Sequence, residues 1–304
     1  MRAQRVLPRW TGGVRLSPRI QGAPSIGTVL DGAGLVVLGA IGILYGWLSI
    51  EHPPGDPLIF WTAGRADSLY GTTWGAADAF YVYPPPLAQV LRLLPWSTYV
   101  FLWMALLFVG FWVATRRWSL PVFLVSAMCA AFIGFDFALS NPAVLTFVGN
   151  PQILIAAVCV IGFRWPALWA FPILTKLAPG IGLLWFLVRR EWRQLAIALG
   201  VTGAIVAVSI LARPQDWVDF VRFAGSNSGA PSPVPLVPIP FIVRLPMAVA
   251  LIVWGARTDR RWTVPVAVGW SALALYEWGF ITIWIAVLAL TKPPRTRVAA
   301  TRHP

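Results

Sequence analysis

Five stretches of this chain run for about the length of a bilayer crossing without an acidic or basic residue: Gly32 to Ile50, Ser97 to Thr115, Trp118 to Phe135, Phe137 to Phe163 and Leu195 to Ala212. A helix needs roughly 20 mostly apolar residues to cross about 30 Å of hydrocarbon. The core of a soluble domain explains one such stretch; it does not explain five. Composition agrees, with 58% hydrophobic residues, 12% charged residues and 18 tryptophans. The fold class expected is therefore all-α, a polytopic transmembrane helical protein of eight to ten membrane helices, some of them broken into short hairpins.

The formal charge of +13 invites a nucleic-acid reading, which the distribution of the charge excludes. The basic residues stand in short clusters between apolar runs, as topology signals that hold those loops inside the cell. Cys129 and Cys159 stand singly in apolar stretches, with neither a disulfide framework nor ligand spacing. Residues 1–27, with Arg2, Arg5, Arg9, Arg15 and Arg19 and with Pro8 and Pro18, read as a disordered cytoplasmic tail. The apolar run that follows is too long for a signal peptide and lacks a small-residue cleavage site. Residues 292–304 form a second basic cytoplasmic tail, leaving 28–291 as the transmembrane domain.

With the first tail inside, the run ending at Ile50 leads out to a long external loop, 51–96, that carries Glu51, Asp56, Asp67 and Asp78 against Arg65 and Arg92. The second run returns to Arg116 and Arg117. A conflict then arises between Arg164 and the cluster Arg189, Arg190, Arg193: both belong inside, yet one apolar run separates them. Its middle reads Thr175-Lys176-Leu177-Ala178-Pro179-Gly180, a charge followed by a helix breaker. Two short helices meeting near the outer side at Lys176 resolve the conflict. Irregular backbone at that depth requires cover by protein or by a water-filled cavity. A second external loop, 213–235, and a second hairpin with Glu277 near the outer side complete the topology.

This arrangement gathers Asp56, Lys176, Arg244 and Glu277 at or just below the external surface, where ionisable residues mark functional sites by default. Asp56 precedes Pro57 and a helix start, so its carboxylate serves either as a helix cap or as a general base. Lys176 needs an anion or a route to water, and a lipid-borne phosphate is an anion that fits. Arg244 either snorkels or contacts an anion. Tyr81 and Tyr83, before three prolines, form either interfacial anchors or a stiff aromatic shelf for a sugar or an isoprenoid. Asn150 and Gln152, flanking Pro151, bond either to neighbouring helices or to a ligand. His52 has no partner histidine, so no metal site is expected.

In order and spacing these elements resemble the membrane glycosyltransferases of the GT-C superfamily, specifically glycosyltransferase family 87, which includes polyprenol-phosphate-mannose-dependent mannosyltransferases. The residues that carry the likeness are Asp56, Phe60-Trp61-Thr62-Ala63-Gly64-Arg65, Leu69-Tyr70 and Tyr81-Val82-Tyr83-Pro84-Pro85 in the first loop. Gly149-Asn150-Pro151-Gln152 and Lys176-Leu177-Ala178-Pro179 continue it. The resemblance implies a polyprenyl-phosphate-linked sugar donor, a glycolipid or envelope-glycan acceptor, no cofactor, no metal, and a multi-pass protein of the plasma membrane with its site on the extracytoplasmic face. By that likeness Asp56 is the catalytic base and Lys176, aided by Arg244, holds the donor phosphate. Arg65, Tyr81, Tyr83, Asn150, Gln152 and Glu277 would bind substrate. A transporter or flippase of lipid-linked sugars is the rival, expected to place its polar site near the midplane. A divergent, non-catalytic member is the third reading.

Overall fold

The computed structural model describes residues 25–71, 73–74, 79–133, 141–227, 239–273 and 280–291. Glu277, Asp136, most of both tails and residues 228–235 of the second loop lie outside the described residues. In chain order the helices are α1 (Ile26–Glu51), α2 (Gly55–Ala63), α3 (Pro85–Leu91), α4 (Trp96–Thr115), α5 (Ser119–Ile133), α6 (Pro142–Val148) and α7 (Gln152–Ile161). They continue as α8 (Ala170–Lys176), α9 (Leu184–Val188), α10 (Trp192–Ala212), α11 (Pro214–Asn227), α12 (Phe241–Arg257), α13 (Thr263–Trp270) and α14 (Val287–Leu290). A two-residue antiparallel ribbon, Thr73–Trp74 with Ala79–Phe80, is the departure from an all-helical chain among the described residues.

Helix α1 packs antiparallel to α4 because small residues recur on one of its faces. Gly34, Leu38, Gly42, Gly46 and Ser49 are its buried positions, and a Cβ at Gly42 would lie 2.9 Å from that of Phe108. Small side chains let helix backbones approach closely where lipid supplies no hydrophobic drive between them. Two indole N–H groups fasten the pair end to end: Trp96 donates to the Ile50 carbonyl at 3.0 Å and Trp112 to that of Asp31 at 2.9 Å.

Three apolar stretches are long enough to cross a bilayer, Ile26–Glu51, Trp96–Phe132 and Trp192–Ala212, or four when the pair Pro142–Val148 and Gln152–Ile161, bent by 114°, counts as one. The protein is thus a multi-pass helical membrane protein in which, among the described residues, three or four full-length stretches stand beside shorter apolar helices. An apolar run reports burial in hydrocarbon or protein, whereas an unbroken helix also requires that no residue force a turn. Arg116, at φ 54°, turns the second stretch back on itself. Phe123 of α5 consequently lies against Phe108 and Phe111 of α4, at 5.9 and 5.3 Å between ring centroids.

The chain between Arg164 and Arg189 also goes out and returns. Phe163 touches Trp185 at 5.2 Å, while the break between falls at Leu177, with φ 53°. Arginines therefore collect at one end of the molecule: Arg189 pairs with Asp259 at 3.1 Å, and Arg261 lies over Phe163 at 5.1 Å. The opposite end carries α2, α3 and the Lys176 break.

Candidate active site

After α1 the segment Pro53-Pro54 holds the backbone extended, Pro54 at φ −71°, ψ 154°, and α2 starts at Gly55. Asp56 therefore sits inside the first turn and makes no capping bond, so the capping alternative does not hold. Its carboxylate turns to another part of the chain: Asn150 Nδ2 donates to Asp56 Oδ2 at 2.8 Å.

The 114° bend between α6 and α7 is what brings Asn150 there. Gly149 occupies the left-handed region at φ 89°, which glycine adopts without steric cost. It lies so tightly on Pro57 that a Cβ would overlap the proline ring. The Trp103 indole donates to the Gly149 carbonyl at 2.8 Å, and Asn150 Oδ1 accepts from the Gln152 N–H at 3.0 Å. Both ends of the Asn150 amide are thus fixed, and its NH2 faces Asp56.

The second break supplies the cation. Lys176 is the last residue of α8 and is 5% exposed. Its Nζ stands 5.6 Å from the centroid of the Tyr83 ring, within cation–π range, and its charge acts on Asp56. A cavity of about 10 Å³, bordered by Lys176, Gln152, Pro179 and Phe280, is no larger than one water. Asp56 lies outside the spanning helices and keeps one partly open face, with protein packed around the rest. Burial pushes its carboxyl up to about 6, against the opposing effects of Lys176 and the Asn150 hydrogen bond.

The structure gives the other sequence-derived residues varied surroundings. Gln152 is 1% exposed and borders the Lys176 cavity. Tyr83 packs on Phe60 and Tyr81 at 5.1 and 5.6 Å. Tyr81 is fully buried; its hydroxyl donates to the Pro84 carbonyl at 2.9 Å and accepts from the Ala88 N–H at 3.3 Å, bracing the start of α3. Arg65 stacks 3.7 Å over Trp61 and donates to the carbonyls of Trp61, Leu91 and Leu94, which clasps the ends of α2 and α3. Arg244 is 2% exposed and donates to the carbonyls of Ile239, Trp270 and Ala272, of which Ala272 borders the Lys176 cavity. Trp103, which donates to the Gly149 carbonyl, escapes sequence reasoning because aromatic residues in a spanning run look the same as interfacial anchors.

The family model for glycosyltransferase family 87 matches residues 81–302. The chain belongs to glycosyltransferase family 87. The matched region takes in Tyr83, Asn150, Gln152, Lys176 and Arg244. It begins after Asp56, whose link to the family 87 region is the hydrogen bond from Asn150. Comparisons with curated proteins and with solved structures find no match. Family 87 membership together with the helical membrane architecture assigns the chain a GT-C-like glycosyltransferase role.

Proposed function

We propose that this protein transfers a hexose, mannose in the first instance, from a polyprenyl-phosphate-linked donor to a hydroxyl of a glycolipid or envelope glycan on the extracytoplasmic face. The observation that carries the reading is the juxtaposition of Asp56, Asn150 and Lys176, brought together by two helix breaks. Asp56 takes the proton of the acceptor hydroxyl while that oxygen bonds to the anomeric carbon of the sugar. The bond from that carbon to the phosphate oxygen breaks, the polyprenyl phosphate leaves with the electron pair, and configuration inverts. Lys176 stabilises the charge growing on the phosphate, the kind of fixed electrostatic contact that contributes most in a site poor in water. A carboxyl at about 6 is ionised at neutral pH and still basic enough to accept the proton.

Three further features support the reading. The arginine-bearing end fits the cytoplasmic side by the distribution of basic residues, which supports an Asp56 facing the outside. Two apolar grooves, of about 510 and 300 Å³, share Pro86, Val90 and Ile205, and the second reaches Thr175 beside Lys176; an isoprenoid chain fits such a surface. Asp56 lies just beyond the end of α1, the position expected of an enzyme working at the membrane surface and not of a carrier with a midplane site.

The test is transfer from radiolabelled polyprenyl-phosphate-mannose in membranes carrying equal amounts of wild type or Asp56→Asn. The variant is expected to lose transfer by roughly 10³-fold, within the range of general-base contributions. Full transfer by Asp56→Asn would overturn the assignment.

A further inference from the structure

At the basic end, opposite the Asp56 site, a cavity of about 370 Å³ lies between the start of α1, the turn after α4 and the end of α14. Ser25, Thr28 and Asp31 line it from α1, Arg116 and Arg117 from the turn, and Thr291 from just beyond α14. Each guanidinium lies over a tryptophan, Arg116 4.6 Å from the centroid of the Trp112 ring and Arg117 5.5 Å from that of Trp118. Trp112 in turn donates to the Asp31 carbonyl at 2.9 Å, so the walls of the cavity are tied to one another. Stacking engages the face of a guanidinium and leaves the N–H groups on its edge for other partners.

Neither Arg116 nor Arg117 makes an ion pair or a side-chain hydrogen bond among the described residues. The rest of the chain has little to offer them. Residues 1–24 and 292–304, which flank the cavity in sequence, contain no aspartate or glutamate. Glu191 and Asp259, the other described acids at this end, both pair with Arg189. Two arginines against one aspartate leave the cavity one positive charge in excess. That charge is balanced from outside the chain.

We propose that this cavity binds the headgroup of phosphatidylglycerol from the leaflet on the basic side. Its phosphodiester carries the missing negative charge and accepts hydrogen bonds from the edges of Arg116 and Arg117, while its glycerol hydroxyls donate to Asp31. Phosphatidylethanolamine cancels its own charge and leaves the excess in place. Trp118, Trp165 and Trp254, exposed at this end, stand where headgroup-level anchors do, which favours a phospholipid over a soluble anion. The acyl chains also have a surface to follow. Ser25, Val29, Gly32, Val36, Gly39 and Ile43 fall on one face of α1. Val29, Val36 and Ile43 are exposed, and Gly32 and Gly39 have nothing within 4 Å of where a Cβ would stand, which leaves shallow gaps between them. Basic pockets between membrane helices are a recurring form of anionic-lipid site. The lipid so held joins α1, the turn after α4 and α14, a structural role independent of the transferase reading.

The test uses the purified full chain in a non-ionic detergent with added phosphatidylglycerol, phosphatidylethanolamine or phosphatidylcholine. Native mass spectrometry reads the fraction carrying one lipid, and the melting temperature is followed alongside. Wild type is expected to hold phosphatidylglycerol roughly tenfold more tightly than the other two lipids and to melt higher in its presence. The double variant Arg116→Gln, Arg117→Gln should lose affinity for phosphatidylglycerol by roughly ten- to thirtyfold, the factor carried by two arginines against an anionic lipid. The control Arg260→Gln, Arg261→Gln removes the same charge from the same end and should keep the affinity. Equal losses in the two double variants would replace the defined site with diffuse attraction to the basic end and overturn the proposal. No preference for phosphatidylglycerol in wild type, or a rise in melting temperature that inorganic phosphate reproduces in full, would overturn the lipid assignment. The wild-type lipid preference decides the matter even where a variant fails to fold.

Discussion

The two ends of the molecule use one backbone device to different effect. At the basic end, Arg116, Arg190 and Asp259 hold positive φ values of 54°, 58° and 55°, and the turns they make present cations to aromatic faces and water. Arg116 lies 4.6 Å over Trp112, Arg189 5.4 Å over Trp185 and Arg260 5.2 Å over Trp254. Arg189 also pairs with Glu191 and Asp259, in bridges whose side chains remain 30% to 57% exposed. At the other end, Leu177 makes the same kind of turn at φ 53°, and the cation beside it is buried and acts on a carboxylate. Exposed pairs are screened and interchangeable, whereas buried ones depend on geometry. The first set stays open to water; the second is held in one arrangement by the packing around it.

Substitutions separate the two ends in order of expected effect. Lys176→Gln should lower sugar transfer by roughly 10²- to 10³-fold, as removal of a charge-stabilising group does elsewhere. Arg117→Gln at the basic end should leave the rate near that of wild type; equal losses in the two would erase the distinction. Gly149→Ala should come next, because it combines a strained φ with an overlap on Pro57. It should destabilise the protein by about 2 kcal/mol and separate Asn150 from Asp56, read as a lower melting temperature together with slower transfer. Arg65→Leu should cost about 1–3 kcal/mol through loss of the guanidinium hydrogen bonds to the Trp61, Leu91 and Leu94 carbonyls while the KM values stay put; a raised KM would show that Arg65 also contacts substrate. Glu191→Gln should be smallest, below about 1 kcal/mol, without effect on transfer.

The members of the site are legible in the sequence to the extent that each breaks a local rule. Lys176 is a charge in an apolar run, Gly149-Asn150-Pro151 interrupts a helix, and Asp56 follows two prolines at the end of a span. What the sequence does not reveal is their mutual approach, because that depends on two bends and on the fit of Gly149 against Pro57, contacts between positions remote in the chain. Arg65 and Arg244 illustrate the opposite difficulty. Charge alone does not tell whether a guanidinium meets an anion or the backbone carbonyls at the end of a helix, and here the carbonyls are close at hand. The short hairpin at Lys176 is legible for a related reason: among the described residues α8, α9 and the 3-10 segment Ala178–Leu183 are apolar but short, because the chain breaks at Leu177 and Pro179.

The most direct test of the site is the pH dependence of the transfer rate for wild type and Asn150→Ala. The Asp56 carboxyl is raised to about 6, so it is protonated and useless as a base below that value. The wild-type rate should therefore climb through about pH 6 and level off above it. Asn150 donates to the ionised carboxylate and lowers its pKa, so Asn150→Ala should move the rise to higher pH. A rise near the ordinary carboxylate value of about 4, or one that Asn150→Ala leaves in place, would contradict the claim that Asp56, held by Asn150, is the base.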